Sequence, residues 1–416
     1  MKKRYLIYIL ILNCQLIFSQ NQDLQPVKIM HYNLLNYGNN CNVDLDEKDE
    51  WLRTILDHVG PDILTVNEIG NRELYADRIR NNGFPQNSQM VVGEFYVNEG
   101  SGITNAILYN AAKFDLVNRT IIEDWPRDIT IYSLAPLGNP ASSNPLHLII
   151  AHFKAGRDDE DIATRQISGS KVMTWIEQNA QGENVLLLGD LNISRASEPG
   201  FRLLVDNSNP SIDLIDPTGF DDGWGPDTRG VLTQSTRFSQ PSDCGVGGGL
   251  DDRFDFMLLS ESLLNGSGGA TYIEGSFETI GNDAQVFNRA LNCDLNTAVP
   301  QNVCESLFNT SDHLPIALEI GFTTTRKAEL SGIKLQIPNP IKDQVQITIS
   351  QNYTNSKLLT FRLYNAHGQL IFSKSISPND NPSVSFPLQS QSPGTYFLRV
   401  SNDQGKYLYK KLLKES

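Results

Sequence analysis

Several apolar runs in this chain stop on a polar side chain able to do acid–base or cation chemistry. "VKIMHYN" ends at Asn33, "DILTVNE" at Glu68 and "LHLIIAH" at His152. "NVLLLGDLN" reaches Asp190 and Asn192, "RFDFMLL" encloses Asp255, and "TSDHLPIALEI" sets Asp312 and His313 before a last apolar run. Active sites in sheet proteins gather at strand ends, so these are the places to look. Singly, each has an ordinary reading. Asn33 can cap a turn, Glu68 can begin a helix, His152 can be a hydrogen-bonded structural residue, and Gly189-Asp190 is a common turn. As an ordered set, Asn, Glu, His, Asp-x-Asn, Asp, Asp-His, they are poorly explained by turns and caps.

Such residues must be positioned by strands, and the chain offers many short ones between Val27 and about Gly321. Several are apolar nearly throughout, as strands covered on both faces are. Helical stretches lie between them, the clearest from Asp158 to about Asn179, which opens on an acidic cluster suited to a helix N-terminus. Strands with interposed helices predict a layered domain with sheet at its centre. A polar, aperiodic stretch at residues 323–330 reads as a linker. Beyond it, from 331 to 416, short alternating segments such as "QVQITIS" and "GTYFLRVS" predict a small β-sandwich.

The formal charge of −14 is uneven: +3 on residues 1–20 and +6 on 331–416 leave −23 on 21–330. An acidic middle does not grip a polyanion non-specifically, which needs a basic face. It does suit a site that collects divalent cations. Residues 1–20, "MKKRYLIYILILNCQLIFSQ", have the basic start, short apolar run and small residue of a secretory signal peptide, with cleavage expected near Ser19 or Gln20. No later segment reaches the roughly 18 apolar residues of a membrane span. Four cysteines then remain, an even number in an exported chain. Closeness in sequence pairs Cys293 with Cys304 and leaves Cys41 with Cys244. A zinc site is the alternative, without a Cys-x-x-Cys or nearby histidine to support it.

The tail resembles a known family. Pro338-Asn339-Pro340, Tyr364-Asn365 followed by Gly368-Gln369, Gly394-Thr395-Tyr396 and the terminal lysines are similar to the type A C-terminal sorting domain of the type IX secretion system. The resemblance implies contact with that machinery and a secreted or surface location, against the alternative of a carbohydrate-binding or adhesive sandwich. Residues 21–322 resemble the endonuclease/exonuclease/phosphatase superfamily, with its deoxyribonuclease I-like fold, on "HYNLLNYG", "TVNEIG", "AHFKAG", "LLGDLN", "RFDFMLLS" and "SDHLPI". The fold class implied is α+β, a four-layer α/β/β/α sandwich, here followed by the small C-terminal β-sandwich.

The resemblance also implies roles. A phosphodiester is anionic, so its hydrolysis needs charge neutralisation, an activated water and a protonated leaving oxygen. Glu68, flanked by Asn33 and Asp312, would hold Mg²⁺, with Mn²⁺ or Ca²⁺ as alternatives. His313, oriented by Asp255, would be the base toward water, and His152 the acid facing it. Asp190 and Asn192 would position nucleophile and phosphate. Arg72 can meet a substrate phosphate through its guanidinium or form a surface salt bridge. His31, His58 and His147 read as plain strand and helix residues. The Gly-rich stretch 242–252 reads as a flexible loop, at the site's border or elsewhere on the surface. The first substrate expected is nucleic acid, cut by a monomer. A sphingomyelinase-like phospholipid hydrolase, a phosphomonoesterase and a non-catalytic adhesin stay open. The lipid reading needs an apolar hairpin, for which "DWPRDITIYSLAPL" is the candidate.

Overall fold

The computed structural model describes residues 24–39, 41, 43–137, 144–220, 223–239, 242–323, 335–349, 358–365, 370–377, 383–402 and 407–415. The expected signal peptide lies outside these residues, as does the linker apart from Thr323.

The chain begins with β1 (Leu24–Tyr37), α1 (Leu45–Val59), β2 (Ile63–Gly70), α2 (Glu73–Gly83), β3 (Met90–Val92) and β4 (Ile103–Asn110). It continues through β5 (Phe114–Ile122), β6 (Ile129–Pro136), β7 (Leu146–His152), α3 (Asp159–Asn179), β8 (Asn184–Asp190) and α4 (Pro199–Val205). β9 (Leu214–Ile215), β10 (Asp255–Ser260), α5 (Glu261–Asn265), β11 (Ala270–Tyr272), β12 (Glu278–Thr279), α6 (Gln301–Thr310) and β13 (Ile316–Thr323) complete this part. One sheet runs β11-β13-β1-β2-β4-β3, with β12 also on β13; the other runs β5-β6-β7-β8-β10-β9.

Alternation along each strand explains the layering. In β1, Val27 and Ile29 enter a core shared with Leu148, Ile150, Leu186, Leu188 and Met257 of the second sheet. Met30 and Tyr32 face the other way, packing with Leu52 and Ile55 of α1, Ile79 of α2 and Leu307 of α6. On the outer side of the second sheet, Ile149, Leu187 and Leu258 pack against Val172, Met173 and Ile176 of α3 and Phe201 of α4. The result is the expected four layers, helices outside and two sheets face to face. The α3 helix starts where its acidic cluster indicated, in a capping box between Asp158 and Asp161.

Each sheet is built on one parallel pair. β1 lies beside β2 with Asn33 opposite Asn67, and β7 beside β8 with His152 opposite Asp190. The neighbours β13, β4, β10 and β6 are antiparallel to them. Strand ends of both sheets therefore open at one edge of the sandwich. Gly189 is required there: its φ is +145°, and a Cβ would meet the Ala151 carbonyl oxygen at 1.8 Å.

Both expected disulfides are present, Cys41–Cys244 and Cys293–Cys304. The tail folds as two small sheets. β14 (Leu335–Gln336), β15 (Gln344–Ile349) and β18 (Ser383–Pro387) form one; β16 (Leu359–Asn365), β17 (Leu370–Ile376), β19 (Gly394–Asn402) and β20 (Tyr407–Lys414) form the other. Val345, Ile347, Phe361, Leu363 and Leu398 fill the space between them. "DWPRDITIYSLAPL" spans the β5–β6 turn and β6: Ile129–Leu134 of β6 are buried, and Trp125 in the turn is exposed.

Candidate active site

The first sheet supplies Asn33 and Glu68 through two irregular strand ends. The β1–β2 register shifts between Asn33 and Tyr37, and the β2–β4 register between Val66 and Ile69. Leu35, Asn36 and Glu68 all have positive φ (46°, 54° and 55°), a left-handed conformation costly for such residues and concentrated at functional sites. The bulges re-aim the side chains. Asn33 Nδ2 donates to Glu68 Oε1 (3.1 Å) and to Asp190 Oδ2 (3.0 Å), so one amide ties the two sheets together. The backbone N and Nδ2 of Asn36 both donate to Glu68 Oε2 at 3.1 Å. Lys48, on α1 and 4% exposed, donates to the Leu35 carbonyl at 2.9 Å and fixes that turn from below.

The second sheet supplies His152, Asp190 and Asn192. Asn67 Oδ1 accepts from the Asp190 backbone N (2.9 Å), while Asn67 Nδ2 donates to Asn105 Oδ1 (2.7 Å). Asn105 thus supports Asp190 through Asn67. Asn192 N donates to Asp190 Oδ1 (3.0 Å), and its side-chain nitrogen to the Phe153 carbonyl (3.2 Å). Arg127 donates to the carbonyls of His152 (3.1 Å) and Phe153 (2.7 Å), holding the end of β7.

The chain closes the site with residues 311–313. Ser311 Oγ donates to the Asn33 carbonyl (2.7 Å) and accepts from His313 N (3.1 Å). His313 Nδ1 lies 2.7 Å from Asp255 Oδ2, the geometry of an oriented imidazole. His31 Nε2 stands 3.9 Å from Asp255 Oδ1, so this strand residue borders the pair. Gln234 covers the other face: its amide nitrogen is 2.7 Å from His313 Nε2 and 3.2 Å from Asp312 Oδ2. A neutral ring accepts from that amide; a charged ring requires the amide to turn and offer its oxygen. Asp312 Oδ2 also accepts from the Val246 backbone N at 2.9 Å. The Gly-rich stretch therefore borders the site and is anchored there, by Asp312, by the Cys41–Cys244 bond and by an Arg237–Asp243 pair.

His152 and His313 converge on one oxygen. Their Nε2 atoms lie 3.4 Å and 3.7 Å from Asp190 Oδ2. Their proton affinities are driven apart. Burial, Arg127 and the other two rings push His152 well below the usual histidine value. Burial opposes charge on His313 too, but Asp255 and Asp190 outweigh it and raise that ring well above the usual value. Burial, with Asp255 and Glu68 adding to it, pushes Asp190 up to about 7.

The sequence-selected residues Asn33, Glu68, His152, Asp190, Asn192, Asp255, Asp312 and His313 thus form one connected network. Arg72 is separate: it is exposed at the start of α2, and its side chain makes no ion pair or hydrogen bond among the described residues. Gln234, Asn36, Asn67, Arg127 and Lys48 belong to the network without having stood out in the sequence. His147 has plain structural work, bonding Ser133 and Glu183.

A divalent cation fits the donor set. Among the described residues, Glu68, His152 and Asp190 each turn a ligand atom to within 4.8 Å of the others. Asp312 is not in that group, and its Oδ1 has no hydrogen-bond partner. Carboxylate oxygens at this spacing suit a hard cation.

Fold and constellation together define a phosphoester-cleaving class. Residues 30–313 match the model of the Endonuclease/Exonuclease/phosphatase family, and the chain belongs to it; its members are metal-dependent phosphoric ester hydrolases. Residues 337–415 match the Secretion system C-terminal sorting domain, which implies secretion or a cell-surface location. No curated protein sequence matches the chain. Similar solved structures include D. rerio TDP2 complexed with single strand DNA product (14% identity, TM-score 0.45, 71% of this chain and 98% of that one). The catalytic domain of human Nocturnin with bound sulfate anion is another (15%, 0.45, 72% and 95%). A third is the Bacteroides thetaiotaomicron mannosyl-6-phosphatase (14%, 0.44, 71% and 100%).

Proposed function

We propose that the protein is an exported, divalent-metal-dependent phosphodiesterase that hydrolyses nucleic acid by attack of water on phosphorus. The observation that carries the reading is the pair of imidazoles whose Nε2 atoms meet at Asp190 Oδ2 with opposite proton affinities. A ring held neutral starts with a lone pair to receive a proton; a ring held charged starts with one to give. This favours His152 as base toward water and His313 as acid toward the leaving oxygen, the reverse of the roles the resemblance implied. Asp255 orients and charges His313. Asn192 and Asn33 hold Asp190 on its two oxygens. Glu68, with Asp190 beside it, would hold Mg²⁺ or Mn²⁺, with Asn33 fixing the Glu68 carboxylate and Asp312 flanking, which leaves the His152 lone pair for the water proton; the bound cation would supply Lewis-acid polarisation of a phosphoryl oxygen.

Ile129–Leu134 of β6 are buried, so exposed apolar surface in "DWPRDITIYSLAPL" is concentrated at Trp125 in the β5–β6 turn, a small anchor for a lipid surface; this supports nucleic acid as the first substrate to test, with sphingomyelin as the second. The full chain and an Asp190→Ala variant should be assayed on plasmid DNA, RNA, sphingomyelin and bis-p-nitrophenyl phosphate, each with Mg²⁺ or EDTA. Expected are nucleic-acid cleavage that EDTA abolishes and loss in the variant. Sphingomyelin hydrolysis without nicking would overturn the substrate, and an active variant would overturn the site.

A further inference from the structure

Most cations around the site already have fixed partners. Arg127 holds the His152 and Phe153 carbonyls, Lys48 the Leu35 carbonyl, Lys154 the Asp161 carboxylate and Arg237 the Asp243 carboxylate. Arg157 differs. It follows His152 by five residues, its side chain is 69% exposed, and Nη2 touches Asp252 Oδ2 at 2.7 Å. That carboxylate belongs to the rim of the site: Gln234 N donates to the Asp252 carbonyl (3.0 Å) and Asp252 N to the Gln234 carbonyl (2.9 Å). The Gln234 side chain in turn rests on His313 Nε2 at 2.7 Å. Arg157 therefore stands at the solvent side of the scissile position, where the remainder of a long substrate would run.

We propose that Arg157 binds a backbone phosphate flanking the scissile one, exchanging Asp252 for it, and thereby makes the enzyme favour a polymeric phosphodiester over a small one. The inference rests on the nucleic-acid reading above. A guanidinium offers parallel N–H donors to a phosphate as it does to a carboxylate, so the exchange replaces one charge-assisted contact by another. Residues 21–330 carry a formal −23, so a polyanion is repelled over much of this surface and an exposed cation at the rim has a large share in local attraction. A small diester ends at the scissile phosphate and does not reach the rim.

The test uses the full chain, its Arg157→Ala and Arg157→Lys variants, and two substrates, plasmid DNA and bis-p-nitrophenyl phosphate, across a range of NaCl. In Arg157→Ala the ratio of kcat/KM for DNA to that for the small diester should fall about tenfold, chiefly through KM, and the salt slope should shrink by about one. Arg157→Lys should recover part of the ratio. An unchanged ratio and slope, in variants that melt like the parent, overturns the inference. Failure of the nucleic-acid reading looks different, because the parent itself would then cleave the small diester and leave DNA intact.

Discussion

Replacing Asp255 by asparagine tests the proton bookkeeping of the site most directly. Asp255 is 1% exposed and its Oδ2 lies 2.7 Å from His313 Nδ1. It is the strongest of the groups that raise that ring. A hydrogen bond to a charged group is worth about 1.5–3 kcal/mol, and 1.36 kcal/mol is about tenfold in rate, so kcat should fall roughly 10- to 150-fold with KM little altered. The sign of the pH effect follows from the same contact. His313 must carry a proton to donate, so kcat falls as pH rises through its value in the complex. With the neighbouring anion gone that value drops, and the alkaline limb moves to lower pH. Initial rates on bis-p-nitrophenyl phosphate across the pH range, with circular dichroism to show a folded variant, measure both. A kcat within about threefold of the parent and an unmoved alkaline limb would refute the assignment of His313 as a charged donor oriented by Asp255.

Reduction of the disulfides, or Cys41→Ser with Cys244→Ser, should lower the melting midpoint, since closing a loop over a separation of 203 residues is worth about 2–5 kcal/mol. Activity should fall further than the midpoint indicates, because the bond joins the segment after Asn36 to the loop whose Val246 holds Asp312; retained kcat in the doubly substituted chain would count against that link. His31, pushed down to about 4 by burial, stays neutral in the folded state while the unfolded chain takes up its proton below about 6.5. Its contribution to stability is thus present above pH 6.5 and lost as pH falls toward 4, by about 3 kcal/mol at most. Melting midpoints of His31→Gln should depend less steeply on pH across that window, and an unchanged slope would contradict the sign.

Much of this architecture was legible because apolar strands advertise themselves and their polar ends interrupt them. Asn33, Glu68, His152, Asp190 and Asp255 were visible as breaks in a pattern. Gln234 was not: "VLTQSTRF" has no apolar run to interrupt, and its partners Asp312 and His313 lie 78 and 79 residues away. Asn67 was hidden for a similar reason, since its contact with Asp190 spans 123 positions. His31 looked like any strand residue because nothing local shows that β1 passes beside Asp255. Glycine content predicted a loose loop at 242–252, but looseness is decided by tethers, here a disulfide and the Asp312 carboxylate. Arg72 stood out for its guanidinium, and it stands exposed as the residue that precedes α2.

The Cys41–Cys244 bond also sets a timetable. A chain bearing a sorting tail is synthesised where thiols stay reduced and arrives where they pair. The brace between the two flanks of the cleft is therefore added after the chain leaves the compartment of its synthesis. Synthesis and bracing are separated in space: the polypeptide is made among the cell's own phosphodiesters without that brace, and gains it only beyond them.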